Sequence, residues 1–492
     1  MFRVPAFGLS LAALMGCVGL SGCVVGPDYM QPAVATPERW ASAVASSRPP
    51  QLSQWWLRLG DPLLNSLIED GISHNIDVAS AKARIREARA TYRQAIGGLL
   101  PFADGAASVT RSKSSASSTD TSSLHYTQYQ AGFDASWEAD LFGANKRAIE
   151  AAAYGLDAAD EDLRATELTL IGDIASNYLA ARGYQARIAL AERTAASQKE
   201  TASLTRRQLE AGSASAVDVA NATGLAASTE ANVPALKTSY SEAAHRLSVL
   251  TGRPPGALLA RLKKALSIPQ PKQLPSSGAP ADVLTARPDV RLAERHYAQY
   301  TAKVGQAEAA LYPSVNLTGN IATTALSLGD LAKASTIGWS FGPTLSVPIF
   351  QGGQLRAAVD IAKAQRDQYF LAYHSAVLTA LEDVENAIVA LGQEQLRQRK
   401  LATAATAYRK AATLARQLYE GGSSSFLDVL DAERSLYSAE DALLVSRVAI
   451  ATDYISLMKA LGGGWNGEIA ADRPAVTDAR SAPHLWRPDG GA

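Results

Sequence analysis

The chain is written twice, and this duplication constrains its fold more than any other feature. Asn75-Ile76-Asp77-Val78 opens a helical pattern that closes at Leu100-Pro101-Phe102. Asp289-Val290-Arg291 opens a similar one, 212 residues later, that closes at Leu311-Tyr312-Pro313. Leu209-Glu210-Ala211-Gly212-Ser213 through Val217-Asp218-Val219 is matched by Leu418-Tyr419-Glu420-Gly421-Gly422-Ser423 through Leu427-Asp428-Val429, with Asp218 and Asp428 at an offset of 210. A period this long is far beyond a solenoid repeat. It predicts two similar halves and a function on their shared pseudo-symmetric axis.

Within each half the hydrophobic period changes. Thr127, Tyr129, Ala131, Phe133, Ala135 and Trp137 share one face of an extended segment, and Gln128, Gln130, Asp134, Ser136 and Glu138 the other. The second half alternates in the same way over Ile337, Trp339, Phe341, Leu345, Val347 and Ile349. Period two predicts strands. Strands of about ten residues, apolar on one face and polar on the other, fit either a membrane barrel or a soluble sheet with one buried face. Two strands per half give four per chain. The smallest spanning barrels use about eight, so a barrel would need several chains; three would supply twelve strands.

After each strand pair comes a Pro-free stretch, 144–212 and 352–421, with room for a break at Gly183 or Gly392. At about 1.5 Å per residue each would reach about 100 Å, the scale of a coiled coil or tunnel rather than a globular core. Return helices follow at 217–250 and 426–461. The last carries Leu436, Leu443, Ile450 and Leu457 at heptad spacing, with Ala439 and Tyr454 between them, a coiled-coil seam.

The ends add compartment. Arg3 and the apolar run Val4–Leu20, followed by Leu20-Ser21-Gly22-Cys23, read as a signal peptide with a lipobox. Cys17 and Cys23 are the two cysteines, so a mature chain starting at Cys23 has no further thiol for a disulfide, a metal or catalysis. Without Arg3 the 47 basic side chains become 46 against 47 acidic ones, and no basic excess points to nucleic acid. No later run reaches about eighteen apolar residues, so strands are the route across a membrane. The six histidines are scattered without metal-ligand spacing. No phosphate loop or nucleophile elbow occurs. An enzyme is disfavoured, and no cofactor is expected.

Several stretches carry a resemblance. They are Cys23-Val24-Val25-Gly26-Pro27-Asp28-Tyr29, Trp55-Trp56 with Asp61-Pro62, Trp137 through Gly143, Arg287-Pro288-Asp289, Val347 through Gly353, and Ala460-Leu461-Gly462-Gly463-Gly464-Trp465. In their order the chain resembles the outer membrane factor family of tripartite efflux systems, the TolC-type channels, and most closely its NodT-like lipoprotein branch. The resemblance implies an α+β chain. Three copies would build a helical periplasmic barrel of long coiled-coil helices and a 12-stranded transmembrane β-barrel. It also implies a periplasmic adaptor, an inner-membrane RND-type transporter as partners, and export of drugs or other small molecules. An exit duct for proteins or oligosaccharides is the alternative within the family. A coiled-coil adaptor or scaffold without a pore is the alternative outside it.

The expected organisation is a signal peptide at 1–22 and a lipidated, extended segment at 23–60. A first repeat at 61–250 has strands near 103–112 and 124–138. An equatorial linker occupies 251–281. A second repeat at 282–465 has strands near 313–325 and 335–349, and a flexible tail covers 466–492. Cys23 is the expected lipidation site, and Val24 rather than Asp after it predicts sorting to the outer membrane. The resemblance places a periplasmic gate at Tyr419, Ser424, Asp428 and Asp431, with Asp218 as the first-half counterpart of Asp428. Two acids per chain would ring a trimeric pore and favour cations. The competing reading is that such acids serve a helix N-terminus, which suits Asp428 better than Asp431. Ser424 stands where some family members carry an Arg, and Asn221 stands opposite Asp431. This predicts a closed state held by Tyr419 hydrogen bonds and packing, without a salt bridge, and a second half that moves.

Overall fold

The computed structural model describes residues 24–34, 37–41, 52–113, 125–271, 280, 283, 286–464, 469 and 471. Cys23, the residues before it and most of 466–492 lie outside the described residues. The described elements alternate between helix and strand in two rounds. After a 3-10 turn at Trp55–Leu59 come α1 (Pro62–His74), α2 (Ile76–Gly97), β1 (Phe102–Lys113), β2 (His125–Ala139), α3 (Ala144–Glu210) and α4 (Ala216–Leu250). One turn of helix at Leu259–Leu262 precedes the second round. That round is α5 (Pro288–Ala309), β3 (Ser314–Ala325), β4 (Ile337–Ser346), α6 (Gln354–Glu420) and α7 (Phe426–Ala460). Both α3 and α6 have 67 residues, and both α4 and α7 have 35.

The chain divides into two compact units. One holds residues 1–33, 85–159 and 292–373; the other holds 34–84, 160–291 and 374–492. The first unit contains a single antiparallel sheet in the order β1-β2-β3-β4. Its register sorts side chains into rows. Phe133 pairs with Ile321, and Ile321 with Trp339. One step along, Asp104 pairs with Asp134, Asp134 with Asn320, and Asn320 with Ser340. Because successive residues point to opposite faces, one face is apolar and the other polar. Phe133, Trp339 and Phe341 are all about two-thirds exposed or more. On the polar face Asn320 Nδ2 donates to Asp134 Oδ1 at 3.2 Å. Among the described residues β1 and β4 each have one unpaired edge.

The second unit has its core where the helices approach. Trp55 is fully buried, sits edge-on to Trp56 and Tyr454, and donates from Nε1 to the Gly463 carbonyl at 3.2 Å. Asp61 caps α1 by accepting from the Leu63 and Leu64 amides, and Pro62 supplies the first helical residue. The Tyr178 hydroxyl donates to Asp61 at 2.6 Å and accepts from Arg182 Nε. Arg182, also fully buried, reaches the Lys264 carbonyl at 2.7 Å and so fixes the linker after α4 to α3.

One expectation needs correction. Neither Gly183 nor Gly392 breaks its helix. Gly183 is required by packing, since a Cβ there would come within 2.5 Å of Val448 on α7, and one at Gly172 would strike Lys459. Small residues at these points let α3 and α7 run close. The seam on α7 is also graded: Ile450, Tyr454 and Leu457 are buried, whereas Leu436 and Leu443 are half-buried.

Trp55→Ala should cost about 3–5 kcal/mol, by analogy with other large-to-small core changes, and Trp55→Phe clearly less. Chemical denaturation of the two variants, followed by circular dichroism, checks this ranking.

Candidate functional site

Of the residues singled out as a gate, Tyr419, Ser424, Asp428 and Asp431 fall where α6 turns into α7, and Asp218 falls at the equivalent turn between α3 and α4, both in the second unit. Each turn is built in the same way. Gly212 and Gly422 take φ of 75° and 73°, the left-handed conformation that ends a helix at low cost for glycine. Ser213 N–H then donates to the Gln208 carbonyl, and Ser423 N–H to the Leu418 carbonyl, both at 2.8 Å. Ser215 and Ser425 start the return helices.

The geometry gives Asp218 and Asp428 the same task. Asp218 Oδ2 accepts from the Ser215 amide at 2.9 Å and its hydroxyl at 2.7 Å. Asp428 Oδ2 accepts from the Ser425 amide at 3.2 Å and its hydroxyl at 3.0 Å. Both are capping boxes, which satisfy helix donors that would otherwise lack partners. The helix-start reading therefore accounts for both residues. Asp431 differs. It is exposed, like its partner Arg434 one turn on, at 2.9 Å, and an exposed pair of this kind adds little stability. Its carboxylate stays available to solvent.

Tyr419 is buried, packed edge-on against Phe426 and surrounded by Ala222 and Val429. Its hydroxyl donates to Thr205 Oγ1 at 3.3 Å, so it joins α6 to α3. Ser424 Oγ is buried without a hydrogen-bond partner. The structure thus brings Tyr419 into the hydrophobic cluster of the tip and leaves Asp431 outside it.

The tip does carry an ion pair, made within the α6–α7 hairpin itself. It is formed by Arg416, near the end of α6 and eight residues before Ser424. Its guanidinium pairs with Glu433 of α7 and donates to Ser197 Oγ at 2.6 Å and Thr201 Oγ1 at 3.1 Å, both on α3. Thr201 in turn donates to Glu433 Oε1 at 3.0 Å. Glu433 and Thr201 are buried. Three helices therefore meet on one carboxylate whose charge is neutralised in place, the condition under which a buried ion is tolerated. The sequence held a signal for it: Val429, Glu433 and Leu436 share the i, i+4, i+7 stripe that faces the core.

Further along, the return helices are held differently. Arg187 of α3 makes two bonds to Asp441 of α7, at 2.7 and 3.0 Å, and Arg409 of α6 pairs with Glu440. The first-half return helix, α4, meets α3 through the buried cluster of Ala191, Val233 and Leu236, a Gln185–Tyr240 hydrogen bond at 3.3 Å, and the pairs Lys199–Glu230 and Lys237–Glu192, whose four side chains are all more than half exposed. Among the described residues, no group of three His, Cys, Asp or Glu side chains could hold a metal ion, and no helix is long and apolar enough to cross a membrane.

Comparison with known proteins adds to this geometry. The sequence profile described as outer membrane efflux protein matches residues 67–253 and again 279–463. The chain is 37% identical over 460 residues to nodulation protein T of Rhizobium leguminosarum bv. trifolii, covering 91% of this chain and 96% of that protein. It is 32% identical to the toluene efflux pump outer membrane protein TtgF of Pseudomonas putida, covering 91% of this chain and 95% of that one. Its fold matches the outer-membrane channel OprN with a TM-score of 0.85 at 34% identity, covering 90% of this chain and 100% of that one.

Asp218→Ala and Asp428→Ala should each weaken the start of their return helix by about 1 kcal/mol. Asp431→Ala should cost under about 0.5 kcal/mol. Glu433→Ala should cost about 2–3 kcal/mol, since hydrogen bonds to a charged group are lost. Hydrogen exchange of amides near the tip measures all four, and the predicted order is Glu433, then the two capping acids, then Asp431.

Proposed function

This chain belongs to the outer membrane efflux protein family, and we propose that three copies of it form the exit duct of a tripartite efflux pump. It is an outer membrane efflux channel protein; the trimer, its partners and its gate are the parts proposed. The observation that carries the reading is the sheet. An apolar face on strands of ten to fifteen residues suits lipid, and a polar face suits a water-filled lumen. The unpaired edges of β1 and β4 cannot be left open in lipid, so further copies complete the wall. The long hairpins α3–α4 and α6–α7 then supply the walls of a helical tunnel. A periplasmic adaptor and an inner-membrane RND-type transporter are the partners such a duct requires, and export of drugs or other small molecules is its task. The duct itself is passive, with no catalytic group assigned.

Cys23, which lies outside the described residues, is the lipid attachment site in this reading. The anchor supplements the barrel and directs the chain to the outer membrane. Cys23→Ser should abolish incorporation of radiolabelled palmitate; normal labelling of that variant would remove the assignment.

The gate is assigned to the α6–α7 hairpin moving as one body away from α3. Arg416–Glu433 and Arg409–Glu440 lie within the hairpin and survive such a motion. What breaks are the bonds to α3: Tyr419 to Thr205, Arg416 to Ser197 and Thr201, Thr201 to Glu433, and Arg187 to Asp441. Asp431, exposed at the tip, is the carboxylate that would face ions entering the pore.

Thr205→Val combined with Thr201→Ala should therefore raise single-channel conductance in planar bilayers. Asp431→Ala should leave conductance near the parent value and reduce preference for cations. The assignment fails if the threonine pair has no effect on conductance or Asp431→Ala no effect on selectivity.

A further inference from the structure

In the first unit, the segment that follows residue 23 is held in a socket. The Val25 amide donates to the Phe142 carbonyl at 3.2 Å. Arg147, the fourth residue of α3, has a side chain only 4% exposed. Its Nε donates to the Val25 carbonyl at 3.1 Å, and its Nη2 donates to the Gly26 carbonyl at 3.1 Å and to Asp28 Oδ1 at 2.8 Å. Its Nη1 donates to Glu150 Oε2 at 2.7 Å. Two backbone carbonyls and one carboxylate of a single short segment thus converge on one buried guanidinium, a geometry that suits the fixed fork of arginine.

Glycines make room for the segment. Gly26 has φ of 90°, and a Cβ there would come within 2.3 Å of Gly305 Cα on α5. A Cβ at Gly305 would meet Arg147 Nε at 2.8 Å, and one at Gly143 would meet Val24 at 2.8 Å. Tyr29 closes the far end. Its ring lies edge-on to Tyr154 and Tyr297 at 5.5 and 5.8 Å, with the Arg295 guanidinium 5.7 Å from its centre. Its hydroxyl donates to Glu294 Oε1. Burial first, and that bond second, push the phenol well above its ordinary pKa, so it stays a donor at any physiological pH.

We propose that this socket is a binding site for residues 24–29 whose role is to fix the lipid anchor at the corner where β2 ends and α3 begins. The proposal rests on the lipidation of Cys23 argued above. A free tether of about ten residues would let its end range over roughly 15–20 Å. A segment seated from Val24 onward ties the residue bonded to Val24 to the end of the sheet. Anchor and sheet are then held at one depth in the outer membrane. Arg147 is a positioning residue in this scheme; it touches the segment and not the lipid.

The test uses the full chain in membranes from cells fed radiolabelled palmitate, treated with chymotrypsin, which can cut after Tyr29. The parent protein should keep its label on the full-length band. Gly26→Ala and Arg147→Met should release it as a small lipopeptide at least about tenfold faster, since cleavage tracks the population of the open form. Arg147→Lys should be intermediate, because one ammonium cannot hold three acceptors in a fork. Gly26→Ala lies outside every helix and strand, so protease resistance of the remaining chain should be unchanged in that variant. Equal release rates from parent and variants would overturn the proposal. Absence of label in the parent would overturn its lipid part. Mass spectrometry of the peptide ending at Tyr29 would then still decide, separately, whether the segment is held.

Discussion

A sheet that faces lipid cannot end. In hydrocarbon every backbone N–H and C=O must find a partner within protein, yet β1 and β4 each present an unpaired edge among the described residues. Everything else in the chain is consistent with meeting that constraint by association. The cross-strand rows put Phe133, Ile321 and Trp339 on one face and Asp134, Asn320 and Ser340 on the other. Asp104 and Asp134 stand directly opposite each other, a pairing of like charges that is unfavourable unless water reaches that face. A polar, wet lumen and an apolar outer wall satisfy both requirements together.

The duplicated helical hairpins show how one design is specialised twice. Both tips end on a left-handed glycine and restart on a capping box, so Ser215–Asp218 and Ser425–Asp428 are equivalent. The halves diverge one turn later. The second tip adds Tyr419, Phe426 and Glu433 and ties itself to α3 by buried groups. The ion pairs of the first are exposed lysine–glutamate pairs, whose individual contributions are small, beside a small apolar cluster of Ala191, Val233 and Leu236. A hairpin held by a few specific, buried bonds has two well-defined positions, with the bonds made or broken. A hairpin held by many weak surface pairs shifts gradually. The first kind suits a gate and the second a wall.

Much of this was legible in the sequence because it rests on periodicity. Alternation over Thr127–Trp137 lies within β2, and the Pro-free stretches bounded by glycines contain α3 and α6. Such patterns are local and need no knowledge of neighbours. What could not be read locally was which groups meet across helices. Gly183 suggested a break, but its role is contact with Val448, set by how closely α7 approaches. Arg416 and Glu433 are 17 residues apart on different helices, and Thr201 is far from both, so only the folded chain brings them together. Asp428 was open between two readings until its bonds to Ser425 were seen. The segment 24–29 read as merely extended. Its purpose depends on Arg147, Gly305 and Glu294, none of them near it in sequence.

The closure of the sheet between copies is the claim on which the duct depends, and apart from Cys17 and Cys23 the sequence holds no cysteine to obscure a direct test. Ser108→Cys on β1 can be combined, one at a time, with Gly338→Cys, Ser340→Cys or Gly342→Cys on β4, and the protein oxidised in its membrane. The account predicts that at least one combination gives a covalent ladder of one, two and three chains that stops at three. Monomers alone in every combination, or a ladder that runs on past three, would contradict it.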